Sequence, residues 1–129
     1  MSHTENLKKG LEFVKHTVSL KFNHVFQRLY RKGASAVSPN LAVYVRRNGG
    51  KTSRLGLTVG TKLGKAVIRN RTRRRLREIY RTNEDKLLPG YDVVVVARVR
   101  AAHSPYWVLE REFLRLADKL GILSGERAE

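Results

Sequence analysis

The chain is 129 residues long and 41% hydrophobic, with a formal net charge of +16, which suits one domain around one packed core and leaves no room for two. From Phe13 to Arg77 it carries 17 lysines and arginines and no aspartate or glutamate, whereas residues 1–12 are balanced and residues 78–129 hold 8 basic and 9 acidic side chains. A field concentrated in one half of the chain attracts a polyanion, nucleic acid above all, and excludes from that half any nuclease or phosphotransferase site that holds its metal on carboxylates.

Residues 1–18 have mixed composition and read as a variable, flexible extension ahead of a single domain over 19–123, with 124–129 as a tail. Phe22, Val25, Phe26, Leu29 and Tyr30 recur at i, i+3, i+4, i+7 and i+8, one face of a first helix that Gly33 ends in the C′ manner. Pro39 and Asn40 open a strand over Leu41 to Val45, the Asn48, Gly49, Gly50 cluster turns the chain, and Leu55 to Val59 forms a second strand. A second helix runs from about Ala66 to Tyr80. Pro89 and Gly90 lead into a strand over Tyr91 to Val99, whose unbroken valines suit a central strand covered on both faces. Ser104 is placed to cap a last helix with Pro105 at its first position, an apolar stripe of Val108, Leu109, Phe113, Leu116 and Leu120, and Gly121 as its stop. The expected order is α-β-β-α-β-α, an α/β (α+β) two-layer sandwich around a small mixed sheet of three to four strands.

The densest chemistry lies in KLGKAVIRNRTRRRLREIYR, Lys62 to Arg81. At about 100° per residue from Ile68, Thr72, Leu76 and Ile79 share the buried stripe, while Asn70, Arg73, Arg74, Arg77 and Arg81 lie opposite it. Arg71 and Arg75 flank the stripe on one side, Lys65 and Arg69 on the other. A run of charge is usually a solvated helix face. Here no acidic residue stands four positions away before Glu78, so the arginines repel one another unless an anion arrives. The preceding GTKLGK has one residue too few between its glycines for a P-loop, and Ala66 stands where a magnesium-binding Ser or Thr belongs, so nucleotide binding is rejected.

Other chemistry is sparse. His3, His16, His24 and His103 show no metal-ligand spacing, and Glu84 and Asp85, the only adjacent acids, have no third ligand near. Ser35, Ser38 and Ser53 have no recognisable general base, and Trp107 and Phe113 read as core or rim. No cysteine is present, which fits a reducing cytoplasm. The longest apolar run, Val93 to Ala97, is too short to span a membrane, and the N-terminus lacks the apolar centre of a secretory signal. A membrane surface suits this charge less well than RNA, because arginine in a folded segment favours phosphate forks.

The stretch RLGLTVGTKLGKAVIRNRTRRRLREIYR, preceded by VFQRLYRKGAS and followed by LLPGYDVVVVAR, closely resembles the protein subunit of bacterial ribonuclease P, over about Leu20 to Leu123. Thr61 departs from the family, many members having a second lysine beside Lys62. The resemblance implies a left-handed βαβ crossover through the arginine helix, in a fold like the second domain of a small-subunit ribosomal protein. It implies that the catalyst is an RNA, which needs magnesium and cleaves the 5′ leader from precursor tRNA; the chain itself shows no recognisable catalytic residue, metal site or cofactor site. Lys62, Lys65, Arg69, Asn70, Arg71, Arg73, Arg74, Arg77 and Arg81 are then expected to face the catalytic RNA, and Phe26, Tyr30, Arg31, Lys32, Ala42 and Tyr44 to hold the single-stranded leader. The alternative is a non-catalytic basic RNA-binding protein, of ribosomal or chaperone type. A DNA-binding helix-turn-helix ranks third, because no short helix and turn precede the arginine helix.

Overall fold

The computed structural model describes residues 17–19 and 23–124; Phe22, which the sequence places on the apolar face of the first helix, and His3 and His16 lie outside them. Five strands form one mixed sheet: β1 (Thr17–Ser19), β2 (Ala34–Val37), β3 (Leu41–Arg47), β4 (Ser53–Val59) and β5 (Tyr91–Ala97). Their spatial order is β1-β4-β5-β3-β2. β4 is parallel to β1 and to β5, while β3 is antiparallel to β5 and to β2. Helix α1 (Asn23–Lys32) precedes β2, α2 (Ala66–Asn83) joins β4 to β5, and α3 (Tyr106–Lys119) follows β5.

The α/β sandwich and its mixed sheet are as the sequence predicts. The sheet has five strands where three to four are expected, because two short edge strands, β1 and β2, join the three read from the sequence. Neither is long enough to show a clear alternation, and β2 alternates only at Ala36, its single buried residue. β5 is the central strand. Val93 and Val95 turn to α2 and α3, packing with Leu76, Ile79, Tyr80, Leu109, Phe113 and Leu116. Val94 turns the other way, with Val25 and Leu29 of α1. Each of these aliphatic side chains stabilises the fold by about 1.5–3 kcal/mol when fully buried.

Two helix ends differ from the sequence reading. Gly33 does terminate α1, but it is not in the left-handed region. It is glycine for want of space: an added Cβ lies 2.8 Å from Leu29 O and 2.8 Å from Val45 O. Ser104 does not cap α3. Pro105 occupies the N-cap with no side-chain bond, and the Ser104 hydroxyl instead lies 2.8 Å from Asn40 Oδ1. The far end of α3 behaves as expected. Gly121 has φ 77°, and the N–H groups of Gly121 and Ile122 donate to Asp118 O and Ala117 O, which closes a Schellman motif.

Glu112 belongs to the core face of α3 and is buried. Its carboxylate accepts from the Ser38 hydroxyl, from Asn40 N at 3.1 Å and from Asn40 Nδ2 at 2.6 Å. Arg98 Nη1 donates to Ser38 O at 2.8 Å. This network clamps the β2–β3 corner to α3. Burial pushes the Glu112 carboxyl up, but the hydrogen bonds from Ser38 and Asn40 outweigh burial and hold it below its ordinary range. No helix among the described residues is long and apolar enough to cross a membrane.

Candidate nucleic-acid interface

The outer face of α2 is built as the helix periodicity requires. Thr72, Leu76 and Ile79 are buried, and Thr72 Oγ1 donates to Ile68 O at 3.0 Å, so its hydroxyl is satisfied inside the helix. On the opposite side Asn70, Arg73, Arg74 and Arg77 line a shallow groove with Glu78. Arg73 Nη1 donates to Asn70 Oδ1 at 3.0 Å, which orients the guanidinium along the groove. Lys62, on the short 3-10 turn before the helix, and Lys65, its N-cap, are exposed.

Two of the expected RNA-facing arginines, Arg69 and Arg71, donate to backbone carbonyls. Arg69 Nε donates to Gly64 O at 3.1 Å, fixing the loop ahead of the helix. Arg71 Nη2 donates to Ala102 O at 3.4 Å, and Arg75 Nη1, its neighbour on the same flank, donates to Ser104 O at 3.3 Å. These bonds to carbonyls leave the positive charge uncompensated while they dock α2 on the turn before α3. Arg81 is different, because it forms an ion pair with Glu78 one turn back. The guanidinium of Arg81 hydrogen-bonds the Glu78 carboxyl and holds it below the ordinary carboxylate range. Arg81 is thus the one expected site residue on this helix whose charge is neutralised by a described neighbour, a pairing its i, i+3 spacing from Glu78 signals.

The second surface lies on the other face of the sheet. Phe26 and Tyr30, one turn apart on α1, have ring centroids 6.4 Å apart, and Tyr30 meets Tyr44 of β3 edge-on at 4.9 Å. Tyr30 is 36% exposed, and Phe26 and Tyr44 are half-buried. Ala42, two residues along the strand from Tyr44, is buried and forms the floor beside Val96, its partner on β5. The structure therefore brings Phe26, Tyr30, Ala42 and Tyr44 together. It also adds Thr58, whose Oγ1 lies 3.1 Å from the Tyr30 hydroxyl. Arg31 and Lys32 are exposed in the last turn of α1. On the helix wheel they lie about 120° and 140° from the Phe26–Tyr30 flank, so the structure does not bring them into the aromatic cluster.

Half-exposed rings above a small-residue floor provide π-faces on which unpaired bases stack, and the α2 groove provides guanidinium forks for phosphates.

The comparisons with known proteins agree with this chemistry. A model of the family described as Ribonuclease P matches residues 14–121. The Ribonuclease P protein component of Natranaerobius thermophilus is 41% identical over 106 residues, covering 82% of this chain and 92% of that protein. The protein of the same description from Clostridioides difficile is 36% identical over 107 residues, covering 82% and 94%. Among solved structures, the RNase P protein of Staphylococcus aureus superposes with a TM-score of 0.75 at 30% identity, over 82% of this chain and 97% of that one. The RNase P protein of Thermotoga maritima gives 0.72 at 31% identity, over 78% and 96%. With its arginine helix and its aromatic sheet face within the matched span, the chain belongs to the ribonuclease P protein family.

Proposed function

We propose that this protein assists a catalytic RNA in removing the 5′ leader from precursor tRNA, binding that RNA with the α2 groove and the single-stranded leader with the aromatic face. The observation that carries this reading is the cluster of Phe26, Tyr30 and Tyr44. Three rings left partly open on a sheet face, over the buried Ala42, suit stacked single-stranded bases better than a closed core does. The unpaired Arg74 and Arg77 on the opposite face of the molecule suit a phosphate backbone.

The chemistry of bond cleavage is assigned to the RNA. Magnesium takes oxygen ligands in near-ideal octahedral geometry. The described residues bring no three His, Asp or Glu side chains together, and the basic stretch contains no acid. This donor set suits phosphate and not a magnesium ion, so magnesium in the working complex is assigned to RNA phosphates. The family membership does not favour a ribosomal or chaperone role. The test is reconstitution: the chain, added to a bacterial ribonuclease P RNA with magnesium, is expected to raise the rate of leader removal, and the rigorously RNA-free protein is expected to leave the precursor intact. No stimulation of the RNA, or cleavage by the protein alone, overturns the reading.

A further inference from the structure

Helix α1 divides the sheet face on which it lies. Val25 and Leu29 seat it on Val94. At about 100° per residue, Phe26 and Tyr30 project to one flank of that contact and Arg28 to the other. The aromatic flank is the surface described above. On the opposite flank Arg28, Arg46, Arg47 and Arg54 surround Asp92 in a recess of about 170 Å³.

The charges in this recess do not cancel. Asp92 is buried, and both its oxygens are taken: Arg54 Nε and Nη2 donate to them at 2.7 and 2.6 Å, and Asn48 Nδ2 donates at 3.1 Å. That pair is closed. Among the described residues Arg28, Arg46 and the neighbouring Lys51 form no ion pair, and Arg47 is held 5.9 Å above the Tyr91 ring with no carboxylate partner. Lys51 stands beside the recess, sharing Asn48 and Arg54 as neighbours.

The turn that carries Lys51 is also held in place. Asn48 Oδ1 accepts from Gly50 N at 2.8 Å, Asn48 Nδ2 donates to Thr52 O at 3.0 Å, and Asn48 N donates to Gly90 O at 2.9 Å. Gly90, at φ 85°, sits so close to this hairpin that an added Cβ lies 2.7 Å from Gly50 O. The β3–β4 turn is thereby fixed against the start of β5 before any ligand arrives. The recess is smaller than the roughly 300–1,000 Å³ of small-molecule sites, which are also mostly apolar. No aromatic side chain lines it.

We infer that this recess is a third RNA contact, which takes the sugar–phosphate backbone on the flank of α1 opposite the aromatic cluster. It rests on the reading of the chain as an RNA-binding protein. Arg28, Arg46 and Lys51 are the free cations that engage phosphate oxygens. The closed Arg54–Asp92 pair supports them. With no open ring for a base, the contact reads charge and not sequence.

The test is the triple variant Arg28→Gln/Arg46→Gln/Lys51→Gln. All three side chains are exposed and none is in the Arg54–Asp92 pair, so its melting temperature is expected to match the wild type. Affinity is measured against salt in two arms. One uses a ribonuclease P RNA transcript alone. The other uses the assembled complex with precursor tRNA carrying a short leader or one several times longer. Loss of three phosphate contacts lowers the log–log salt slope by about 2 and the affinity by roughly tenfold. A loss in the first arm names the catalytic RNA as the source of the phosphates, and a loss confined to long-leader precursor names the upstream leader. Unchanged slope and affinity in both arms overturn the inference. The slopes are read whether or not the leader is removed. A wild-type chain that binds RNA but does not stimulate cleavage therefore overturns the proposed function alone.

Discussion

Tyr30 and Thr58, 28 residues apart in sequence, meet hydroxyl to hydroxyl at 3.1 Å and pin the aromatic side of α1 to β4. The bond holds the Tyr30 ring edge-on to Tyr44 with one face open. Tyr30→Ala and Tyr44→Ala are expected to weaken binding of leader-bearing precursor by roughly 10-fold, since a stacked base contributes about 1–3 kcal/mol. Binding of leaderless tRNA should change little. Tyr30→Phe keeps the ring and should keep the preference for precursor. Dissociation constants for the two tRNAs, measured with the reconstituted complex, decide the matter. A folded Tyr44→Ala protein with unchanged preference removes the ring from the leader site. One that fails to fold shows that Tyr44 is core.

On α2, position relative to the buried stripe sorts the arginines. Arg74 is exposed and Arg77 half-exposed, and neither is bonded to the protein in the way that Arg71 and Arg75 are. Arg74→Ala and Arg77→Ala should weaken assembly with the catalytic RNA, reduce the salt slope by about 1 each, and leave the melting temperature unchanged. Arg71→Ala and Arg75→Ala should lower both, because each also loses a hydrogen bond to the turn before α3, worth about 1.5–3 kcal/mol when the donor is charged and buried and less here, where both groups are partly exposed. Equal thermal stability across all four variants contradicts the assignment of Arg71 and Arg75 as docking residues.

The parts of this architecture that periodicity encodes were legible in the sequence. Ile68, Thr72, Leu76 and Ile79 repeat at helical spacing, so both faces of α2 follow from the residue order. The unbroken valines of β5 announce a strand covered twice. What depends on strand order was not legible. Thr58 joins the aromatic cluster only because β4 and β3 flank the same β5. Arg46 and Arg54 converge for the same reason, each standing opposite Asp92 in the register of β5. Glu112 left a local trace: with Leu109, Phe113 and Leu116 it completes an i, i+3, i+4, i+7 core stripe. An acid at such a position marks a buried carboxylate with partners elsewhere.

Gly33 provides a test in which space and propensity oppose each other. Its φ is not left-handed, so alanine should restrict the unfolded chain and stabilise by about 0.4–1 kcal/mol if it fitted. It does not fit, because its Cβ lies 2.8 Å from two backbone oxygens, and neither Leu29 O nor Val45 O can swing away as a side chain does. Gly33→Ala should therefore destabilise by about 1–3 kcal/mol, as overpacking does. At Gly121 the cause is reversed: nothing lies within 4 Å, but φ is +77°, so Gly121→Ala should cost about 1–2 kcal/mol through backbone strain alone. Denaturant melts of the two variants check both values, and an increase in stability for Gly33→Ala refutes the close-approach argument.

Glu112 gives the fold a dependence on acid. Its folded pKa lies below the ordinary 4.5, because hydrogen bonds from Ser38 and Asn40 outweigh the upward push of burial. A carboxyl with a depressed folded pKa contributes stability that is complete above the unfolded value. That contribution is lost as the pH falls through the lower folded one. Glu112→Gln keeps the shape and part of the hydrogen bonding but removes the charge, so its deficit against the wild type should be full at neutral pH and shrink below about pH 4.5. Glu112→Ala leaves Asn40 N and Asn40 Nδ2 buried without their acceptor, at about 1–3 kcal/mol for each group, while the Ser38 hydroxyl keeps Leu41 O, and its deficit should persist in acid. Glu78, also depressed but largely exposed, is screened by solvent and adds little to the same window. Urea melts of the three proteins from neutral pH down through the carboxylate range separate these outcomes. A Glu112→Gln deficit that stays constant across that range means the carboxylate is not held ionised by the Ser38–Asn40 corner.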